Sequence, residues 1–311
     1  MIPAVARAHK SQRLAVVALV SVAMVWGATF VLTQHAIADF DVFTFLAWRF
    51  FIASLAFGVF FLKPLLRAFR RAGRSSVRIA LVAGVFLALG YVFQTFGMIP
   101  ASQGGTTPAR TAFITGLFVV FVPLGQWVLT RRRPRMTVLV GVVLAVIGLY
   151  LLSGMSVLSS SQGWVWGDSM VLICAVAYAV HMLVLGRTTT TDSTVLLTFI
   201  QLVVVLAICV TMSLFTGKAG ALPQGYPLWF ALIVCGVFAS AYAFAVQTWA
   251  QTIMQPAQVA LTLIMEPVFG GLFGWFSAGN APKNEVIGAL FLLGAMLFAE
   301  LRMGEGARKA P

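Results

Sequence analysis

Apolar residues in this chain neither alternate with polar ones, as in a half-buried strand, nor keep to one stripe of a helix. They come in blocks of about 20 residues separated by short polar stretches, the length a helix needs to cross about 30 Å of hydrocarbon. Ten such blocks are predicted as helices: 14–36, 42–63, 77–99, 108–130, 136–154, 164–186, 194–216, 228–250, 256–277 and 285–303. A membrane β-barrel would instead show alternating segments of about ten residues. The expected fold class is therefore all-α and integral to the membrane, with ten transmembrane helices.

Composition agrees. Hydrophobic residues make up 60% of the chain, charged residues 9%, and the mean hydropathy is +0.98. A soluble domain carries about a quarter charged residues on its surface. The net charge of +13 raises the question of nucleic acid, but the basic residues lie in short clusters between apolar blocks, as orientation signals do. Counting alternate sides from the N-terminus, one side holds 17 of the 21 basic residues, including Lys63, Arg67, Arg70, Arg71, Arg74 and Arg78, then Arg131, Arg132, Arg133 and Arg135. The positive-inside rule places that side, and with it both termini, in the cytoplasm. Membrane lipid is the expected surface partner and nucleic acid is not. The three cysteines, Cys174, Cys209 and Cys235, lie in apolar blocks without metal or redox spacing. No cofactor or metal is expected. The first block is too long for the core of a cleavable signal peptide.

The chain repeats itself. Residues 108–127, PARTAFITGLFVVFVPLGQW, align without gaps on 256–275, PAQVALTLIMEPVFGGLFGW, with seven identities in twenty. Upstream, GVFLALGYVFQT (84–95) resembles GVFASAYAFAVQT (236–248) with one inserted residue. The period is five helices. Because five is odd, the second copy enters from the opposite face, and two inverted five-helix repeats are expected, the arrangement that suits alternating access. The organisation predicted is a cytoplasmic tail at 1–13, a first repeat at 14–154, a second at 164–303 and a cytoplasmic tail at 304–311.

The same residues resemble a known family. WGATFV in the first block, Arg49 in the second, TAFITGLFVVFVP in the fourth, ALTLIMEPVFGGLFGW in the ninth and IGALFLLGAMLFAEL in the tenth look like an EamA-type carrier of the drug/metabolite transporter superfamily. The resemblance covers nearly the whole chain. It implies a ten-helix inverted-repeat bundle with a central cavity, and export or exchange of small metabolites such as amino acids. One departure stands out. Where many members carry an acid near the end of the fourth span and after the ninth, this chain reads QWVLTRRRP and GWFSAGNAPKNE, with Glu285 as a shifted stand-in.

Eight acidic residues in 311 make each buried one informative, because a charge at the bilayer centre costs at least about 2.5 kcal/mol. Glu266 falls near the middle of the ninth block and is followed by Pro267, which removes a backbone donor and frees the carbonyl near Leu263. Such a carboxylate either locks the bundle through a hydrogen bond or binds a substrate amine or a coupling proton. Arg49, in the outer third of the second block, can snorkel, pair with an acid such as Glu266, or hold a substrate carboxylate. Its counterpart in the second half reads as Gln201. Gln94 with Gln247, and Tyr91 with Tyr242, are read as pairs matched by the repeat, and Trp26 and Tyr178 as aromatic lining, with Phe93, Phe96, Phe244 and Trp249 as further aromatics. Pro267, Gly270 and Gly271 are candidate hinge positions. Arg110 and Asp168 are read as interface anchors, His181 and His35 as packing residues, and Trp164 and Trp166 as part of an interfacial aromatic belt.

Among function classes, a secondary transporter of small polar or amphipathic metabolites, an efflux carrier in a bacterial inner membrane, accounts for most of these features. No phosphate-binding loop is present, so the driving force would be an ion or solute gradient, with proton coupling one option. An intramembrane enzyme would need paired acids or a metal motif that the chain lacks. A channel would call for a ring of like residues. The protein is expected not to be an enzyme.

Overall fold

The structure is a computed structural model describing the backbone of residues 2–154, 163–188, 193–278 and 283–301, with side chains over 11–152, 163–188, 193–273 and 283–298. The predicted tail at 304–311 and the end of the tenth block lie outside the described residues. Every described element is helical, and no strand occurs among them. Large apolar side chains cover the outside: Val17, Val59, Phe60, Val128 and Leu290 are each more than 60% exposed. Arg49, Gln94, Asp168, His181, Gln201, Gln247 and Glu266 are buried. That inside-out distribution is what a lipid solvent requires, since hydrocarbon solvates methyl groups and leaves polar groups to find one another.

Among the described residues eight helical stretches are long and apolar enough to cross a membrane. Helix α1 (Ile2–Ala36) is followed by α2 (Val42–Phe60), a short α3 (Leu62–Arg70) and α4 (Arg74–Gly97). The Pro108–Thr130 span is built from α5 (Pro108–Gly116) and α6 (Phe118–Thr130). A shorter apolar stretch, Met136–Leu152, contains α7 (Met136–Leu149). Then come α8 (Trp166–Leu185) and α9 (Thr194–Phe215). The Tyr226–Gln251 span runs through α10 (Tyr226–Ile233), a π-helical segment Val234–Tyr242, and α11 (Ala243–Gln251). Helices α12 (Pro256–Leu263) and α13 (Glu266–Ala278) share the ninth predicted block, and α14 (Lys283–Leu301) lies in the tenth.

Local chemistry sets several ends. Asp41 caps α2 by accepting the Thr44 N–H at 2.9 Å. Thr107 caps α5, with Pro108 at its first position, where the missing N–H costs nothing. Pro256 likewise opens α12, where Gln255 N–H donates to Gln258 Oε1 at 2.8 Å. The break between α12 and α13 follows from Pro267, which leaves no room or donor for a regular turn; Met265 N–H reaches back only to Thr262 O. The break between α5 and α6 contains no proline, yet Leu117 N–H bonds Ile114 O in the same three-residue fashion. Each of these donors and acceptors has its counterpart 148 positions away, as do Phe121 N–H to Leu117 O and Phe269 N–H to Met265 O.

The π segment has an equally specific cause. It overlaps 236–248, the stretch that carries one residue more than its counterpart 84–95 in α4. An extra residue inside a helix is absorbed as widened i→i+5 turns, and α4 itself is regularly α-helical.

Packing pairs the helices in a recurring pattern. Helix α4 lies against α8 and α9, and the Tyr226–Gln251 span lies against α1 and α2. The α5–α6 span packs on α8, and the α12–α13 span on α1. Helices α2 and α9 pack together, as do α7 and α14. The largest apolar cluster joins Phe45, Phe50 and Phe57 of α2 to Leu87 of α4 and Leu202 and Val205 of α9.

Candidate functional site

At the centre of the bundle α1, α2, α4, α5, α6, α8, α11 and α13 enclose a cavity. Its polar lining comprises Thr29, Thr33, Arg49, Tyr91, Gln94, Thr115, Tyr178, His181, Gln247 and Glu266; Trp26, Phe30, Phe118 and Phe244 supply aromatic walls. The space open to the centres of water molecules is about 40 Å³, room for about three or four waters at roughly 10–15 Å³ each. The chamber is therefore narrow in this conformation.

Glu266 is the first residue of α13, placed by the helix break. It is 7% exposed, and among the described residues its carboxylate makes no hydrogen bond or ion pair. The backbone of α1 holds this segment in place. A Cβ on Gly27 would sit 2.6 Å from Glu266 O and 2.7 Å from Gly270 N, so the two helices touch through glycine and leave no space for a side chain.

Arg49 enters from α2. Its Nε donates to Ser240 Oγ at 2.9 Å and its Nη2 to Tyr91 OH at 3.1 Å, with Cζ 4.5 Å above the Tyr91 ring. The π segment supplies the counter-surface: Ser240 Oγ donates to Cys235 O at 2.8 Å, and Ala239 O accepts Trp26 Nε1 at 2.8 Å and Tyr91 OH at 3.4 Å. Widened turns present these carbonyls sideways, which a regular α-helix would not. On another wall Gln94 Nε2 donates to Thr115 Oγ1 at 3.2 Å and Tyr178 OH donates to Gln94 Oε1 at 3.4 Å. His181 Nε2 lies 2.7 Å from Gln201 Oε1. Gln247 Oε1 is buried and without a partner among the described residues.

A cavity lined with charge in an apolar bundle, its acid on a broken helix, is the kind of site transporters build. Sequence comparison decides the class: the EamA-like transporter family matches residues 13–154 and, separately, 165–300. The chain belongs to this family. It is a multi-pass integral membrane protein and a transporter. An uncharacterized transporter from Archaeoglobus fulgidus is 28% identical over 286 residues, covering 92% of this chain and 85% of the relative. The uncharacterized transporter YoaV of Bacillus subtilis is 20% identical, with coverage of 90% and 92%. A solved crystal structure superposes with a TM-score of 0.70 at 18% identity, covering 93% of this chain and 97% of the other; at that identity the likeness shows the fold.

Within this EamA-family chain, the structure gathers Glu266, Arg49, Gln94, Gln247, Tyr91, Trp26 and Tyr178 around one cavity. Tyr242 is a correction. It is 39% exposed, it pairs with Ser21 Oγ at 2.7 Å, and it does not line the cavity. Counted back from the aligned Gln94 and Gln247, the counterpart of Tyr91 is Phe244, and Phe244, with its ring 5.9 Å from that of Tyr91, takes the inward place. Of the other aromatics, Phe93, Phe96 and Trp249 lie off the lining. Pro267 is buried and Gly270 meets Gly27 closely, so the two serve the break and the helix contact.

Two further residues differ from expectation. Arg110 and Asp168 are not exposed anchors: they form a buried ion pair between α5 and α8. Asp168 also accepts Thr106 Oγ1 at 2.7 Å and its own capped backbone, Val165 N–H, at 3.0 Å, and Arg110 Nη2 donates to Gly163 O at 2.9 Å. His181 is a buried, hydrogen-bonded packing residue as expected, and it also lines the cavity. Ser240, Thr29, Thr33 and Thr115 were invisible in the sequence, because hydroxyl residues are common in apolar helices. Only the one-residue insertion hinted at Ser240.

Proposed function

We propose that the protein is a secondary carrier, an exporter or exchanger of small metabolites such as amino acids or related amphipathic compounds, working by alternating access around the cavity. The unit is ten spans in two inverted five-helix repeats, in a bacterial inner membrane with both termini cytoplasmic. Support for the repeats comes from the double family match, from the helix breaks 148 positions apart, and from the exchange of partners in the packing. Helix α4 on α8 and α9 becomes, five spans on, the Tyr226–Gln251 span on α1 and α2. Two interchangeable halves meeting at a narrow chamber are suited to opening first on one side and then on the other.

The observation that carries this reading is Glu266: a buried carboxylate with no partner among the described residues, at the start of a half-helix, lining the cavity. A carboxylate in that setting binds a cation, an amine or a proton on one side and releases it on the other. The test is counterflow of labelled solute in proteoliposomes. Unlabelled solute on the far side accelerates uptake in a carrier; flux indifferent to solute on the far side would refute it.

A further inference from the structure

The carrier reading leaves Arg49 without a task, and its surroundings supply one. Arg49 is 4% exposed and has no ion pair among the described residues. A guanidinium stays charged, and a buried charge left without a counter-ion costs several kcal/mol. The groups that touch it, Ser240 Oγ and Tyr91 OH, are neutral. They orient the guanidinium but do not neutralise it. Its Nη1 makes no hydrogen bond among the described residues, and the side chain lines the cavity.

We propose that Arg49, held by Ser240 on the π segment, is the subsite for a single carboxylate group of the transported solute. The planar edge of the guanidinium matches a carboxylate in two parallel hydrogen bonds. A doubly charged oxyanion such as phosphate does not fit: Arg49 is the one Lys or Arg in the lining, and Glu266 faces the same space. Trp26, Phe30, Phe118 and Phe244 form the walls between, so the solute class is an amphipathic monocarboxylate, with an amine directed at Glu266 where it has one. Ser240 is a positioning residue: its hydroxyl donates a hydrogen bond to Cys235 O, which aims its lone pairs at Arg49 Nε.

This rests on the carrier reading for the word transported, but binding tests it separately. The full-length protein in lipid nanodiscs is unfolded thermally against rising 3-phenylpropanoate, phenethylamine, L-phenylalanine and inorganic phosphate. The wild type is expected to gain stability with 3-phenylpropanoate and phenylalanine, and none with phosphate. Arg49→Lys should weaken the response to 3-phenylpropanoate by about tenfold or more, since a point charge replaces the fork, and leave phenethylamine within about twofold. Ser240→Ala should weaken the carboxylate alone, by a smaller factor, and it carries the test if Arg49→Lys does not fold. Equal weakening of amine and acid marks Arg49 as a structural brace and overturns the proposal. So does a wild type indifferent to both carboxylates, a carboxylate response untouched by either variant, or stronger protection by phosphate. Carboxylate binding that depends on Arg49 with no counterflow sinks the carrier and spares the subsite; counterflow with Arg49-independent binding does the reverse.

Discussion

Phe118 and Glu266 stand 148 positions apart, each the first residue of a half-helix that follows a break, and both line the same cavity. Two backbone hydrogen bonds at the breaks are matched, Leu117 N–H to Ile114 O by Met265 N–H to Thr262 O, and Phe121 N–H to Leu117 O by Phe269 N–H to Met265 O. At the matched position one break offers a ring and the other a carboxylate. Two similar helix breaks thus bring chemically different side chains to one cavity.

From this relationship Glu266→Gln is expected to reduce counterflow at least tenfold while shifting the thermal midpoint little, because the amide keeps shape and hydrogen-bonding capacity and loses only the charge. Full activity of the Gln variant across pH would show that the carboxylate takes no part.

Gly27→Ala should destabilise the protein by about 1–3 kcal/mol, the cost of forcing atoms into a packed contact, since its methyl would meet the backbone of Glu266 and Gly270. Gly294→Ala is the control, with nothing within 4 Å of the added carbon; it should be neutral or slightly stabilising. Thermal unfolding in detergent compares the two.

Arg110 and Asp168 lend themselves to a double-mutant cycle. Asp168→Asn alone leaves a buried guanidinium without its counter-charge and should cost about 3–5 kcal/mol, whereas Arg110→Gln with Asp168→Asn should cost less than the two single changes added. Additivity would show that the contact contributes no coupling.

Deleting Ala241 removes the residue that the π segment accommodates. The Tyr226–Gln251 span should then relax to an α-helix and still insert, but Ser240 and the Ala239 carbonyl would turn away from Arg49, Tyr91 and Trp26. The expected result is a folded protein with counterflow reduced at least tenfold. Retained transport would mean that the π geometry is dispensable. Tyr242→Phe, outside the cavity, is expected to leave transport unchanged.

How much of this was legible beforehand varied with the physics involved. The helical, lipid-embedded character could be read directly, because a run of about 20 apolar residues has few other ways to satisfy its backbone. Glu266, Arg49 and the glutamines stood out because polar groups are costly among apolar ones. Tyr242 misled because it was matched to Tyr91 by residue type: the register of the paired glutamines sets Tyr91 opposite Phe244. Arg110 and Asp168 misled because a position near a helix end reads as cheap and exposed. Their burial depends on Gly163, Thr106 and each other, which lie 53 to 62 positions away from their partners in the chain.

The sequence by itself determined the solvent, the helical character and the family, since each follows from local composition or from motifs along the chain. Tertiary structure alone decided which polar groups share a chamber, that Arg49 is oriented by neutral partners, and that an inserted residue becomes a platform of sideways carbonyls. Those outcomes depend on the rotation and approach of helices distant in sequence, where a shift of one residue or one methyl group changes which atoms meet.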